Sequence, residues 1–317
     1  MYQIMDLKDM DLHGAALLFQ REYGESRRSG NVPAMTPEME VDVEAGLRQI
    51  CENVYGAALL EDGELAGFLG FLGPIEGFHG DVRGAFSPFG ASAFAGKDRA
   101  RTASLLVQET ADQMVKDGIF QFAISRPCGD EETGRALCLN GMGIRCSDAV
   151  LELAHYKKTD AEKVLPIREL RGQERQKIAP LYEQLDAHMR KSPCFFPKPQ
   201  GMVQSFLARE DVSILAAFWK DTAVGYMAVD EEGETFVTLR EDMLNICGAY
   251  VRKEFRSAGV AKQLLDAAVS MAQERGKTYL GVDYETVNPT ALHFWTKYFT
   301  PYTYSYIRRI DERVVTR

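Results

Sequence analysis

Arg256, Gly259 and Ala261 lie close together in Val251-Arg-Lys-Glu-Phe-Arg256-Ser257-Ala258-Gly259-Val260-Ala261, a stretch whose residue types can hold phosphate. An arginine forks onto phosphate oxygens, and a glycine lets backbone approach a ligand closely. The first N–H groups of a helix lack intrahelical partners, so a helix that starts here offers them to an anion. The flanking sequence predicts that arrangement. Leu244 to Val251 is an apolar strand, and Val260, Leu264, Ala268 and Met271 then recur at helical spacing. Gly276 is a left-handed stop, and Arg275 and Lys277 suit the negative end of the helix dipole. The same residues also fit an ordinary strand-to-helix turn with a solvated arginine, because short glycine motifs recur by chance.

The segment resembles the acetyl-CoA signature of the GNAT superfamily of N-acyltransferases, Arg/Gln-x-x-Gly-x-Gly/Ala, with Arg256, Gly259 and Ala261 in the fixed positions. Further on, Val282-Asp-Tyr-Glu-Thr-Val-Asn288-Pro-Thr-Ala291 and the residues to Lys297 resemble that family's next strand and its Asn-x-x-Ala helix. The resemblance implies acetyl-CoA as acyl donor. Backbone groups of Ala249, Tyr250 and Val251 would bind the pantetheine arm and the thioester carbonyl. Arg256, Ser257, Ala258, Gly259, Val260 and Ala261 would take the diphosphate, and Asn288 would lie near the pantetheine or adenosine portion. Asn288 followed by Pro289 is also a good helix cap with no ligand at all. Two departures concern the chemistry: Trp295 stands where many relatives have a tyrosine that protonates the leaving thiolate, and Phe299-Thr300 replaces a Gly-Phe pair.

Acyl transfer to an amine needs a neutral amine, a polarised carbonyl and an exit for the thiolate. Glu285 and Asp283 flank the end of the strand beside the expected cleft, where partial desolvation can raise a carboxylate's proton affinity; solvated strand-end carboxylates are the plainer reading. Glu285 is the candidate base. Tyr298, one turn beyond Trp295, is the candidate acid, with Tyr284 and Tyr250 as alternatives, although strand tyrosines are commonly core residues. A thiol leaves readily, so an acid is not obligatory.

A chain of 317 residues with 45% hydrophobic content can build about two domains. Its net charge of -9 argues against a general nucleic-acid surface. No apolar run reaches the roughly 20 residues that cross a bilayer, and no basic-then-apolar leader opens the sequence. The six cysteines form no C-x-x-C pair, and the five histidines show no ligand spacing, so reduced thiols, no metal and a cytoplasmic setting are expected.

Strand and helix signals recur twice in the same order. The expected architecture is α/β (α+β, mixed sheet), with two tandem GNAT-like domains, each a twisted, mostly antiparallel sheet flanked by helices. Residues 1–155 form a degenerate copy, 156–163 a charged linker, and 164–317 the acetyl-CoA-binding copy. Setting the helices before the two glycine stops against each other places Asp98, Arg101 and Ala103 opposite Arg256, Gly259 and Ala261, a set that would repel and block a diphosphate. The loop Lys191 to Gly201 mixes aromatic and basic residues where the fold covers its acceptor, and also fits a Pro-rich surface connector. These features imply an acetyl-CoA-dependent N-acetyltransferase acting on a primary amine of a small molecule or peptide, without nucleic acid or membrane. The alternatives are a non-catalytic acyl-CoA-binding regulator and a doubled transferase that uses charged tRNA, which the acidic balance disfavours.

Overall fold

The computed structural model describes residues 1–27, 32–52, 55–158, 165–196 and 201–316. Val54, residues 159–164 across the expected linker and the strand after it, and 197–200 of the aromatic loop lie outside the described residues. The chain divides into two compact units, Met1–Asp148 with Pro301–Arg317, and Ala149–Thr300.

The first unit begins with β1 (Tyr2–Asp6), α1 (Leu12–Ser26) and α2 (Pro37–Cys51). The Asp11 carboxylate caps α1 on the N–H groups of His13 and Gly14; Thr36 caps α2, which has Pro37 in its first turn. Next come β2 (Gly56–Glu61), β3 (Glu64–Gly70), β4 (Leu72–Ile75), β5 (Arg83–Ser87), β6 (Ser92–Phe94), α3 (Arg99–Lys116), β7 (Ile119–Pro127) and α4 (Glu131–Leu139); β8 (Gly143–Glu152) spans the division after Asp148. The strand expected over Val82 to Pro88 stops at Ser87, because Pro88 has no N–H to continue the ladder. The chain turns through Gly90 (φ 100) and resumes as β6. β5 pairs parallel with β7, whereas β6 pairs antiparallel with β3 in a separate sheet of order β1-β2-β3-β6.

Arg126, near the end of β7 and only 1% exposed, reaches β6: its Nη1 donates to Ser92 O at 2.7 Å and its guanidinium carbon lies 4.5 Å from the Phe94 ring centroid. Its Nη2 donates to Glu22 of α1 and, at 3.1 Å, to Asp130 Oδ2. Burial, with Asp130 beside it, raises the Glu22 carboxyl from 4.5 to about 8. Folded Glu22 therefore holds its proton more tightly than unfolded Glu22. That contribution is complete below about 4.5 and is lost as pH rises through about 8. Each tenfold change in proton affinity is worth about 1.4 kcal/mol. We expect the unfolding free energy of the wild type to fall by several kcal/mol relative to Glu22→Gln between pH 5 and 8, measured by urea denaturation; parallel pH profiles would contradict the shift.

The second unit contains β9 (Ile167–Leu170), a 3-10 turn (Gly172–Ile178), α5 (Ala179–Met189), α6 (Met202–Ala208), β10 (Ser213–Trp219), β11 (Thr222–Asp230), β12 (Met243–Val251), α7 (Val260–Glu274), β13 (Tyr279–Glu285) and α8 (Pro289–Trp295). The strand order is β13-β12-β11-β10-β9, antiparallel except for β12 with β13. The apolar stripe of α7, including Leu264, Leu265 and Ala268, packs on one side with Trp295 and Phe299. Ile178, Leu181 and Leu207 pack with Tyr226 on the other. Tyr156, placed by sequence at the start of the linker, donates to Asp266 Oδ1 of α7 at 2.9 Å.

After β14 (Thr300–Pro301), the closing strand β15 (Thr303–Arg309) pairs with β7 from Thr303 opposite Pro127 to Arg309 opposite Gln121. It lies in the first unit, although the sequence pattern counted it with the second. A fragment of residues 165–317 should therefore carry an unpaired strand and aggregate, as light scattering would show. A monomeric fragment would contradict this.

Candidate functional site

β12 and β13 run together only from Met243 opposite Tyr279 to Ile246 opposite Val282; β12 continues to Val251 and β13 to Glu285 without pairing to each other. A bulge sets the divergence. Ala228 of β11 faces Gly248 and Val229 faces Ile246, which leaves Cys247 as the extra residue. Ile246 and Ala249 thus both face α7, while Cys247 and Tyr250 face α5 and α6. Arg252 N donates to Val224 O at 2.9 Å. By antiparallel alternation, Tyr226 and Tyr250 exchange the next pair of bonds, and Ala249 and Val251 turn their backbone groups into the opening gap.

The gap leads to the turn before α7. Phe255 N bonds Arg252 O and Arg256 N bonds Lys253 O; the first bond of α7 is Gln263 N to Gly259 O at 3.0 Å. Between them, the N–H groups of Ser257, Ala258, Gly259, Val260, Ala261 and Lys262 have no acceptor among the described residues. Ser257 (φ 63) and Gly259 (φ 81) are left-handed, a backbone form that curls successive N–H groups inward as an anion nest. Arg256 is held by a 3.0 Å bond from Nε to Val251 O and lies 5.3 Å from the Tyr250 ring centroid, with no ion-pair partner among the described residues. The predicted loop residues are thus assembled at one helix start.

Asn288 caps α8: its Oδ1 accepts from Ala291 N at 3.4 Å, and its Nδ2 reaches Met189 Sδ of α5 at 3.2 Å. Beside it lies His188, which the sequence reading did not single out. Burial lowers its pKa, and the positive charges of Arg256 and Lys191 lower it further against a bond with Asn288. Its only sequence signal was a position just ahead of the aromatic loop. Tyr226 was also overlooked, and its hydroxyl is buried with no hydrogen-bond partner among the described residues. A Cβ built on Gly248 would sit 3.5 Å from that hydroxyl, so Tyr226 underlies the bulge.

Glu285 is half-buried at the end of β13, where its carbonyl accepts from Asn288 N, whereas Asp283 is exposed. Tyr284 is buried among the residues that face α7. Trp295 is 6% exposed and packs edge-on against Phe294 and Phe299. Tyr298 lies against Tyr156 and Phe294, with Lys262 Nζ 5.6 Å from its ring centroid, so its surroundings are the aromatic packing between α7 and α8. Asp211, Asp230 and Glu232 converge closely enough to suggest a cation, but Arg209 Nη2 bonds all three.

In the first unit the corresponding helix start is capped by its own acid. Asp98 precedes α3 and accepts from Arg101 N at 2.9 Å. Aligning the two helix starts puts Asp98 opposite Gly259 and Arg101 opposite Lys262, three residues away from the register read from the glycine stops. That register failed because α3 is longer than α7: 18 residues against 15.

A comparison with protein families matches residues 181–299 to the acetyltransferase (GNAT) family. Residues 181–299 are a GNAT acetyltransferase domain. The match contains the diverging strands, the amide-lined turn and the Asn288 cap. Comparison with curated proteins gives no match. Among solved structures, a GCN5-related N-acetyltransferase from Sphaerobacter thermophilus is similar with a TM-score of 0.61 and 12% identity, over 97% of this chain and 95% of that one. A GCN5-related glucosamine N-acetyltransferase region of a fungal multi-domain GH3 β-N-acetylglucosaminidase is similar with a TM-score of 0.53 and 10% identity, over 97% of this chain and 38% of that one. A tandem GNAT protein from the clavulanic acid biosynthesis pathway aligns with a TM-score of 0.49 and 12% identity, over 98% of each chain. The family implies acyl-CoA-dependent acyl transfer. No helix among the described residues is long and apolar enough to cross a membrane.

Proposed function

We propose that the GNAT domain binds acetyl-CoA along the gap between β12 and β13 and transfers its acetyl group to a primary amine of a small molecule or peptide. The observation that carries this reading is the run of six N–H groups, Ser257 to Lys262, without protein acceptors at the foot of that gap. The diphosphate would accept from these groups and from Arg256, and the pantetheine would follow the backbone of Ala249, Tyr250 and Val251, past Asn288. Fixed amides aimed at the thioester carbonyl would stabilise the negative charge that grows on its oxygen, with little reorganisation. The amine nitrogen then attacks the carbonyl carbon, the C–S bond breaks, and the thiolate takes a proton.

Glu285 is our choice for the group that removes the amine proton, and Tyr298 for the one that returns a proton to sulfur. The latter requires α8 to turn, since Trp295 fills the position one turn earlier. We further propose that the first unit is a degenerate copy that binds no CoA, because Asp98 and Arg126 occupy the places of Gly259 and of the strand gap. A cytoplasmic enzyme fits these proposals.

Glu285→Gln should lower kcat by about 100-fold, within the range usual for general bases, flatten its acid limb and leave CoA affinity unchanged. An unaltered pH profile would exclude Glu285 and turn attention to His188. The buried Trp295 favours one second reading, an acyl-CoA-binding regulator without turnover. CoA binding with no thiol release across a broad panel of amines would support that reading against transfer.

A further inference from the structure

The Trp219 indole is 53% exposed at the end of β10, a strand whose other large apolar side chains are buried. Leu215 and Ala217 of β10 face α7, and Phe218 faces the opposite side, so alternation puts Trp219 on the α7 face. Two contacts fix its level along that helix. A Cβ built on Gly225, the partner of Ala217, would lie 3.3 Å from Leu264 Cδ1. Beyond the far end of α7, Arg275 Nη2 donates to Ser213 Oγ at 2.6 Å, so the helix runs back along β10. Val260 stands one turn before Leu264, about 5.4 Å along the helix, and Trp219 stands two residues beyond Ala217, about 6.6 Å along the strand. The indole is therefore level with the first turn of α7, beside the six unpaired N–H groups. Phe255 braces it, with ring centroids 6.1 Å apart, and is itself packed on the α7-side core immediately before Arg256.

The turns that carry this ring pair are basic, although the chain's net charge is -9. Lys220 follows Trp219, and Arg252, Lys253 and Arg256 flank Phe255; Asp221 and Glu254 are the acids of the same two turns. Lys220 and Lys253 are exposed and have no ion-pair partner among the described residues. An exposed lysine alone is an ordinary surface group. Here two of them accompany a braced, solvent-facing indole next to a nest that fits a diphosphate. Aromatic faces stack bases, and lysines hold phosphate as point charges, so the combination fits a phosphorylated nucleoside.

We propose that Trp219 stacks the adenine of CoA and that Lys220 and Lys253 take its 3′-phosphate. This rests on the reading that acetyl-CoA lies in the gap between β12 and β13. With the diphosphate on the N–H groups of Ser257 to Lys262, the nucleoside passes over Phe255 to reach the indole. The hairpin between β10 and β11 thereby sets donor specificity, favouring a carrier that ends in 3′-phosphoadenosine over one that ends at the phosphopantetheine.

Calorimetry and tryptophan emission on the intact protein test this with CoA, with dephospho-CoA, which lacks the 3′-phosphate, and with 4′-phosphopantetheine, which lacks the nucleotide. Of the two tryptophans Trp295 is buried, so the solvent-exposed emission reports Trp219. CoA and dephospho-CoA should quench that emission, and 4′-phosphopantetheine should not. Trp219→Ala should weaken CoA binding about tenfold, as expected for losing a stacked base, and leave 4′-phosphopantetheine affinity unchanged; Trp219→Phe should restore most of the loss. Replacing Lys220 and Lys253 together by alanine should reduce the preference for CoA over dephospho-CoA by about fivefold. An unchanged preference would remove the 3′-phosphate from these lysines. CoA binding without quenching, or at normal affinity in Trp219→Ala, would overturn the stacking while Gly259→Glu still abolished binding and upheld the donor site. Normal CoA binding by Gly259→Glu would overturn the donor site and this inference with it. The emission readout uses the unaltered protein, so the test holds even if a variant fails to fold.

Discussion

Replacing Gly259 by glutamate is expected to weaken CoA binding at least about 100-fold, equivalent to about 2.7 kcal/mol. The new carboxylate would stand at the start of α7, where it competes with diphosphate for the same amides and repels its charge. Nothing lies within 4 Å of a Cβ built at Gly259, so the side chain meets no wall and the fold should survive. A left-handed non-glycine residue costs roughly 1–2 kcal/mol, and Gly259→Ala carries that strain without the charge. Calorimetry should find near-normal binding in the alanine variant and none in the glutamate variant, both with wild-type circular dichroism. Equal affinities in all three proteins would remove the diphosphate from this turn.

The second large effect concerns stability. Arg126→Met should cost about 3–5 kcal/mol of unfolding free energy, the usual penalty for removing one member of a buried ion pair. Met is apolar and cannot donate to Ser92 O, so Asp130 would lose its buried counter-charge and β6 its link to β7. Arg126→Met combined with Asp130→Asn should recover part of the loss, because no unpaired charge then stays buried. Chemical denaturation distinguishes these outcomes. A loss below about 1 kcal/mol, the level of a surface pair, would show that the cluster does not hold β6 and α1 to β7.

Local signals carried the helix boundaries around this turn. Gly259, Gly276 and Asn288 act within a turn of their own positions, so α7 runs from Val260 to Glu274 and α8 starts at Pro289, close to where sequence placed them. The mixed α/β sheets also followed from repeating apolar runs. What sequence could not reveal depends on partners distant along the chain. Arg126 draws Glu22 from 104 residues away, and Tyr156 docks on Asp266 at a separation of 110. β15 has the apolar alternation of any closing strand, and alternation does not say which strand it will pair with. His188 met its neighbours Arg256 and Asn288 only through folding, so a lone helical histidine gave no warning. The break at Pro88 was readable from proline chemistry, but the transfer of β6 to another sheet was not.

Determining the structure with CoA bound tests the central proposal most directly. One CoA per chain is expected, its diphosphate within hydrogen-bond distance of the N–H groups of Ser257 to Lys262 and its pantetheine between β12 and β13. A diphosphate seated on Asp98 and α3, or anywhere away from the turn before α7, would contradict it.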